Sequence, residues 1–202
     1  DLSNGMACLF AREIFGESPS YIFDEIDGTF PNHEPNPLIL KNVEPLMDLV
    51  RETCSDVGVI YDGDADRVMF VDERGRFISP DLIIAVLGHY FIDERGEKGI
   101  VLQDIRSSKA VGEYLVPKGM TMQTWKVGRA FAARKLRELD GVWGGELAGP
   151  YYFRDFFYSD SGLLSSMLVL RIVASMKGKG ISLGSLIDSI ARYQNSGEIN
   201  FR

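Results

Sequence analysis

The chain alternates between segments with apolar residues at helical spacing and short runs of β-branched or aromatic residues. Across 43–50 apolar residues recur at three- and four-residue intervals, which predicts a helix with Asn42 as its N-cap and Pro45 in its first turn. Similar spacing predicts further helices at 4–15, 80–93, 107–116, 129–139, 161–176 and 183–193. Short β-branched and aromatic runs predict strands at 21–23, 57–61, 68–71, 100–103, 121–125, 142–143 and 151–153. Because strands and helices alternate, we predict the α/β fold class, with mixed, mostly parallel sheets between layers of helices.

A charged segment with two glycines, 93–99, divides these elements into two series. A weak similarity between two segments of the chain supports a division there. Residues 1–6 and 104–109 each place an Asp and small polar residues where a strand should pass into a helix. We therefore predict two tandem three-layer α/β/α domains, 1–95 and 96–202. The alternative is one continuous sheet with a polar surface turn at 93–99.

Both ends of the chain suggest that it belongs to a longer protein. It opens at Asp1 without a Met and enters an apolar segment at once, as though a preceding strand were cut away. At the other end, 198–202 stops without a polar tail, which is compatible with further residues. We expect an excised piece of a larger chain.

Composition narrows the class of protein. With 45% apolar and 25% charged residues the chain can form a core, which excludes general disorder. A net charge of -7 disfavours nucleic acid and anionic lipid as partners, and no apolar run reaches the ~20 residues that a membrane helix needs. Two cysteines, Cys8 and Cys54, are too few for a disulfide framework, which favours a reducing compartment. We expect a cytoplasmic location, with no membrane or nucleic acid as partner.

Three carboxylates, Asp62, Asp64 and Asp66, alternate with small residues between two apolar strands. Their mutual repulsion is relieved by a hard divalent cation, so the pattern favours Mg²⁺ or Ca²⁺ over a solvated acidic turn. An EF-hand is excluded because Arg67 stands where that loop needs Gly. A haloacid-dehalogenase-like phosphotransferase would use Asp62 as nucleophile, but the ordered downstream elements it requires cannot be placed here.

Two further segments could bind a ligand. Residues 143–151 surround Glu146 with glycines and a proline, a pattern compatible either with a sugar-binding loop or with a turn carrying an exposed Glu. Lys126 and Arg129 lie where a predicted strand passes into a helix, and suit either a phosphate or a solvated helix start.

These motifs resemble those of a known family. The sequence Asp-Gly-Asp-Ala-Asp-Arg at 62–67 resembles the metal-binding loop of the α-D-phosphohexomutases, the superfamily containing phosphoglucomutase and phosphomannomutase. Gly-Glu-Leu-Ala-Gly at 145–149 resembles their sugar-specificity loop, and 27–37 resembles a segment found upstream of the metal loop. The order and spacing agree over nearly the whole chain.

The resemblance implies a function for each motif. The family enzymes have four domains, and this chain resembles the second and third. The first, which carries a phosphoserine, and the phosphate-binding loop of the fourth have no counterpart in the sequence. The resemblance implies Mg²⁺ as cofactor and a phosphorylated hexose, mannose or glucose phosphate, interconverted between its 1- and 6-phosphates through a bisphosphate intermediate. The flanking domains would be partners, and the chain alone would be inactive.

The same resemblance assigns site residues. Mg²⁺ would be held by Asp62, Asp64 and Asp66. The catalytic residues would be Arg67, which stabilises the transferred oxygens, and Arg106, near the reacting hydroxyl. The substrate would be bound by Glu146, Lys126, Arg129 and Ala148.

Three positions depart from the family pattern. Ala148 and Pro150 stand where relatives often carry Ser and His, and Arg129 stands where they often carry His. These changes leave the hexose preference and the acid/base assignment open. A non-catalytic phosphosugar-binding or regulatory module therefore remains the alternative function.

Overall fold

The computed structural model describes residues 1–193. Residues 194–202, which end the predicted second domain and include the segment 198–202, lie outside the described residues. The α-helices are α1 (Ala11–Phe15), α2 (Leu40–Thr53), α3 (Pro80–Gly88), α4 (Lys109–Leu115), α5 (Arg129–Glu138), α6 (Gly162–Lys177) and α7 (Leu183–Ile190). The strands are β1 (Val57–Tyr61), β2 (Val68–Asp72), β3 (Gly99–Asp104), β4 (Met120–Trp125), β5 (Trp143–Gly145), β6 (Tyr151–Phe153) and β7 (Ser159–Asp160).

The first sheet is an antiparallel pair of β1 and β2, with Tyr61 opposite Val68 beside the connecting turn. Successive side chains of a strand point to opposite faces, so each strand serves two layers. One face, with Ile60 and Met69, packs against α2, and the other, with Phe70, joins the core around α3 and α6. Helices therefore cover both faces of this pair.

The second sheet has the order β4-β3-β5-β6-β7. β3 is parallel to both β4 and β5, whereas β5–β6 and β6–β7 are antiparallel. Leu102 and Tyr152 pack with α5 on one face, and Trp143 and Tyr151 lie in the core with α3 on the other. The α/β class and the mixed sheets are confirmed, and within residues 1–193 parallel pairing is confined to β3, β4 and β5.

The connections around β3 locate a crevice. The chain leaves β3 through α4 to reach β4 on one side, then returns through α5 to β5 on the other side. At such a change of direction, the loops that follow the parallel strands separate and leave room for a ligand at the carboxyl ends. Arg106 follows β3 and Glu146 follows β5, so both flank this crevice.

Several predicted elements differ in detail. The strand at 21–23 is wrong, because Phe23 has φ 52 and interrupts extended backbone. The helix at 4–15 is a 3₁₀ turn, Met6–Leu9, followed by α1 after a break at Phe10. Helix α2 begins at Leu40 rather than behind Asn42, so Pro45 lies inside the helix and not in its first turn.

Local conformation accounts for the shifted start of α2 and for the end of the last predicted helix. The Asn42 side chain donates to the carbonyl of Asn36 at 2.9 Å, closing the turn before the helix instead of capping its start. The predicted last helix ends at Ile190, because Ala191 adopts extended angles, φ -70 and ψ 97. Within 1–193, no helix combines the length and the apolar character needed to cross a bilayer.

Candidate functional site

The turn between β1 and β2 carries the three predicted metal ligands. Asp62 is buried, Asp66 is half-buried and Asp64 is exposed. One carboxylate oxygen from each lies within 4.8 Å of the others. Three neighbouring carboxylate oxygens, one of them on an exposed side chain, match the preference of Mg²⁺, which binds few carboxylates and completes its shell with water and phosphate oxygens. The residues present therefore fit this cation.

The electrostatics of the loop also favour a cation. Burial raises the pKa of Asp62 to about 6, although the Arg67 guanidinium acts in the opposite direction. Burial also raises the pKa of Asp66, and the negative charges of Asp64 and Asp160 raise it further. The ionised forms of Asp62 and Asp66 are thus destabilised in the loop, and a bound cation would offset that destabilisation.

Arg67 is held by the metal loop itself. Its Nε donates to Oδ2 of Asp62 at 2.6 Å, and its backbone N–H donates to Oδ1 at 3.1 Å. The side chain is 30% exposed, so the rest of the guanidinium borders the open side of the loop. Its assignment to the transferred phosphoryl group stays a prediction.

Two backbone contacts from distant segments hold the metal loop. The Met6 N–H donates to the Gly63 carbonyl at 2.9 Å, and the Gly162 N–H donates to the Ala65 carbonyl at 3.1 Å. A Cβ at Gly162 would lie 2.7 Å from that Ala65 oxygen, so only glycine permits this approach. The start of α6 is therefore in direct contact with the metal loop.

The predicted sugar loop lies against the metal loop. The Val68 N–H, at the start of β2, donates to the Gly149 carbonyl at 3.3 Å. Arg67 and Pro150 form an isolated antiparallel bridge next to it. Two motifs that are far apart in the sequence are thus joined through their backbones.

Glu146 is buried rather than exposed, which excludes the simple solvent-exposed turn. Its Oε1 accepts from the Tyr152 hydroxyl at 2.7 Å, and its Oε2 accepts from the Gly128 N–H at 3.1 Å. The Arg106 guanidinium lies 3.8 Å from Oε2. Burial and the neighbouring Glu146 charge raise the pKa of Tyr152, so its hydroxyl remains a donor. The carboxylate is oriented before any ligand arrives.

Asp104, at the end of β3, organises the neighbouring loop. Its Oδ1 accepts from the backbone N–H groups of Arg106 and Ser107, at 3.2 and 2.9 Å, and from the Ser107 hydroxyl at 2.8 Å. Its Oδ2 accepts from the Leu147 N–H at 3.2 Å and from the Arg106 guanidinium at 2.6 Å. One buried side chain thus links Arg106 to the sugar loop.

Arg129 reaches the metal loop. Its Nη1 lies 3.4 Å from Oδ2 of Asp66, and its Nη2 lies 2.8 Å from Oδ1 of Asp160. Lys126 is exposed, with Nζ 3.5 Å from the centre of the Phe131 ring. Ala148 is half-buried in the sugar loop. The structure therefore brings Arg129 to the predicted metal ligands, whereas Lys126 points its charge at an aromatic ring. Their roles in substrate binding stay predictions.

Sequence reasoning missed Asp104, Tyr152 and Asp160. A signal existed for Asp104, because Asp1 forms the same kind of turn, accepting from the Ser3 N–H at 2.8 Å. The sequence similarity between 1–6 and 104–109 indicated this shared geometry. For Tyr152 and Asp160 the partners come from distant segments, and no local pattern marks them.

The Tyr152–Glu146 contact yields a stability prediction with an adjacent control. Tyr152→Phe should lower the free energy of unfolding by about 1.5–3 kcal/mol, because a buried charged acceptor loses its donor. Tyr151→Phe removes an equally buried hydroxyl, which donates to the neutral Pro80 carbonyl at 2.8 Å. That change should cost only about 0.5–1.5 kcal/mol. Urea unfolding of both variants measures the difference, and an equal or larger loss for Tyr151→Phe would contradict the prediction.

Comparison with known protein families matches most of the chain to one family. The family model described as "Phosphoglucomutase/phosphomannomutase, alpha/beta/alpha domain II" matches residues 1–75, and the corresponding model for domain III matches 79–193. Residues 76–78 separate the two matches, upstream of residue 95. Helix α3 lies between these two points and contacts both α4 and α6, so the division near residue 95 stays a prediction.

Individual relatives agree with the family models. A phosphomannomutase from Methanocaldococcus jannaschii is 32% identical over 100% of this chain, which covers 45% of that protein. A phosphomannomutase from Escherichia coli is 37% identical over 86% of the chain and 38% of the relative. A solved phosphoglucomutase/phosphomannomutase family protein from Burkholderia thailandensis has a TM-score of 0.84 at 28% identity, over 95% of this chain and 42% of that one.

This chain thus spans less than half the length of these relatives. The family enzymes belong to the isomerase or phosphotransferase class, and the family uses a metal ion, with which the acidic cluster at 62–66 is compatible. Both family models, the whole-chain match and the shared fold lead to one conclusion: the chain belongs to the phosphoglucomutase/phosphomannomutase family and corresponds to its domains II and III.

Proposed function

We propose that this chain supplies the metal site and the sugar-binding loop of an enzyme that interconverts hexose 1-phosphate and hexose 6-phosphate. The observation that carries the proposal is the backbone bond from Val68 to Gly149, which joins the two loops. A cation and a sugar hydroxyl can then be held next to each other. In this proposal a serine of another domain carries the phosphoryl group.

Mg²⁺ is the proposed cofactor, held by Asp62, Asp64 and Asp66. When bound, such a cation polarises a phosphoryl oxygen and offsets the charge that develops during transfer. Mg²⁺ relies on phosphate oxygens to complete its shell, so its binding to this chain alone should be weak. The close approach of the three carboxylates supports this assignment.

Arg67 and Arg106 would donate hydrogen bonds to the reacting groups. Arg67, anchored at Nε by Asp62, presents its remaining N–H groups beside the metal loop, where they can donate to equatorial phosphoryl oxygens. Arg106 is anchored by Asp104 and is 41% exposed at the crevice, next to Glu146. Fixed donors of this kind stabilise a transition state without reorganising during the reaction.

Glu146 would bind the sugar. A carboxylate has about four acceptor positions, of which Tyr152 and Gly128 occupy two. The remaining positions can accept from sugar hydroxyls, while Ala148 lines the same loop. Arg129 and Lys126, near the start of α5, would attract the phosphate of the substrate.

A phosphorylated mannose or glucose is the proposed substrate, with a hexose bisphosphate as the intermediate. In the first half reaction the serine O–P bond breaks, a new O–P bond forms to a sugar hydroxyl, and that hydroxyl loses its proton. In the second half reaction the O–P bond of the sugar's other phosphate breaks, the serine oxygen forms the new O–P bond, and the sugar oxygen that is left takes up the proton given off in the first. Each half reaction is one transfer between two oxygens, for which positioning and charge neutralisation suffice.

A haloacid-dehalogenase-like reaction with Asp62 as nucleophile is less compatible with the site. Both oxygens of Asp62 accept hydrogen bonds from Arg67, and the residue is only 1% exposed. A carboxylate whose oxygens are held in this way is poorly placed to attack a phosphorus atom.

We also propose a cytoplasmic location, and two domains that divide near residue 95.

Enzyme assays test the proposal against a non-catalytic binding module. The chain alone should not interconvert hexose phosphates, since it lacks the serine relay. A longer gene product containing a serine domain should do so when primed with a hexose bisphosphate. Turnover by the purified chain would contradict the assigned relay, and a gene that begins near Asp1 would favour the binding module.

In that longer protein, Glu146→Ala should lower kcat/KM at least about tenfold, because contacts to two hydroxyls are lost. Glu138→Ala is a matched control. Glu138 lies at the end of α5 and pairs only with Arg134 and Lys135 on its own helix among the described contacts. An unchanged kcat/KM for Glu146→Ala, or a defect cured by added Mg²⁺, would reject the sugar-binding role.

A further inference from the structure

Asp160, the last residue of β7, is a buried carboxylate outside the predicted site. Its side chain is 1% exposed. Oδ1 accepts from Nη2 of Arg129 at 2.8 Å, whereas Oδ2 has no hydrogen-bond partner within the described part of the chain. Buried carboxylates are costly unless paired, so a half-satisfied one at this position calls for a role.

The partner of Asp160 faces two ways. Arg129 is 59% exposed at the start of α5, and its two terminal nitrogens contact acceptors from different sheets. Nη2 is bound by Asp160 of the second sheet, and Nη1 lies 3.4 Å from Oδ2 of Asp66 in the metal loop of the first. Because the guanidinium is planar and rigid, the bond from Nη2 to Asp160 limits the positions that Nη1 can take. In the structure that bond is made while Nη1 lies beside Asp66.

Asp66 is also one of the three proposed metal ligands. A carboxylate oxygen that pairs with a guanidinium has less negative charge available for a cation, and the guanidinium itself repels that cation. We propose that Asp160 is a positioning residue that anchors Arg129 on the metal loop, so that Arg129 holds the Asp66 carboxylate until Mg²⁺ takes it. This inference rests on the proposed metal site.

The exchange would link two binding events. Once Asp66 turns to the cation, Nη1 of Arg129 is released while Nη2 stays on Asp160, and the exposed guanidinium can then bind an anionic oxygen of the ligand. Binding of the cation would thus prepare Arg129 for a phosphate, and by linkage the phosphate would favour the cation.

Mg²⁺ titration by calorimetry on the purified chain tests the competition. Arg129→Gln should tighten Mg²⁺ binding about three- to tenfold, because a unit charge next to a ligand carboxylate is removed. Arg134→Gln is the matched control, since Arg134 lies on the same helix, is 82% exposed and pairs with Glu138 away from the loop. Its Mg²⁺ affinity should be unchanged.

A double-mutant cycle separates anchoring from simple charge. If Asp160 acts only through its charge, Asp160→Asn should change Mg²⁺ affinity equally in the parent and in the Arg129→Gln background. If it anchors Arg129, the same change should be at least about threefold more favourable to Mg²⁺ in the parent, where it also frees Asp66. Thermal unfolding confirms that each variant is folded, and Arg129→Lys, which cannot span both carboxylates, provides a second variant with the charge retained.

The outcomes distinguish the inference from the site on which it rests. An Mg²⁺ affinity that is the same in the parent and in Arg129→Gln would overturn the competition and leave the metal site intact. Equal effects of Asp160→Asn in both backgrounds would overturn the positioning role. Absence of Mg²⁺ binding in the parent and in every variant would overturn both the metal site and this inference.

Discussion

Asp104→Ala should lower the free energy of unfolding by at least about 3 kcal/mol, because it leaves several donors unpaired around one buried position. The backbone N–H groups of Ser107 and Leu147 and the guanidinium of Arg106 all donate to this carboxylate. Burial of Asp104 keeps water from replacing it fully. Loss of the side chain should also release Arg106 from the crevice.

Urea unfolding with Asp155→Ala as control measures this effect. Asp155 is 50% exposed and pairs with Arg95 at the surface, so its removal should cost at most about 1 kcal/mol. Two equal losses would show that Asp104 contributes no more than a surface carboxylate. Amide chemical shifts of 145–149 offer an independent readout, since the Leu147 N–H loses its acceptor.

Asp62→Ala should weaken Mg²⁺ binding at least about 100-fold, beyond the 10–100-fold typical for residues that support a metal ligand. Asp62 is the buried member of the cluster, and its carboxylate is fixed by the two bonds from Arg67. Its removal takes away the preorganised ligand and leaves the Arg67 charge beside the site. The two changes act in the same direction on a cation.

Asp64→Ala is the control within the same loop. Asp64 offers the same carboxylate but is exposed, so it must be ordered when the cation binds and should contribute less. A loss of about tenfold is expected for it. Calorimetry or Mn²⁺ relaxation can compare the two variants with the parent. Equal losses would contradict a special role for the buried ligand, and no loss in either variant would exclude the site.

Much of the fold was predictable because its strands carry strong local signals. Alternating side chains around 57–61 and 68–72 serve two apolar layers, which is the pattern of a strand covered on both faces. The failures are places where a single residue overrides the pattern. Phe23 in the left-handed region ends a predicted strand, and Asn42 uses its side chain on Asn36 rather than as a cap.

The candidate site was predictable in its parts and not in its assembly. The spacing of the acidic residues at 62–66 pointed to a cation, and the glycines around Glu146 pointed to a binding loop. Periodicity cannot show that Val68 bonds to Gly149, because that contact depends on how two sheets pack. The same limit hid Tyr152 and Asp160, whose partners are brought to them by tertiary structure.

The contact between Gly162 and the Ala65 carbonyl restricts how the proposed enzyme could move. Helix α6 begins at this contact and packs along β1 and β2, while Gly149 ties the sugar loop to the start of β2. A hinge between the metal loop and the sugar loop would have to break the backbone bond from Val68 to Gly149 and the bridge between Arg67 and Pro150. These contacts oppose separate movement of the two loops. If a bisphosphate intermediate reorients in this crevice, the sugar must rotate while the two loops keep their relative positions. Any opening that this rotation needs would then come from other parts of the enzyme.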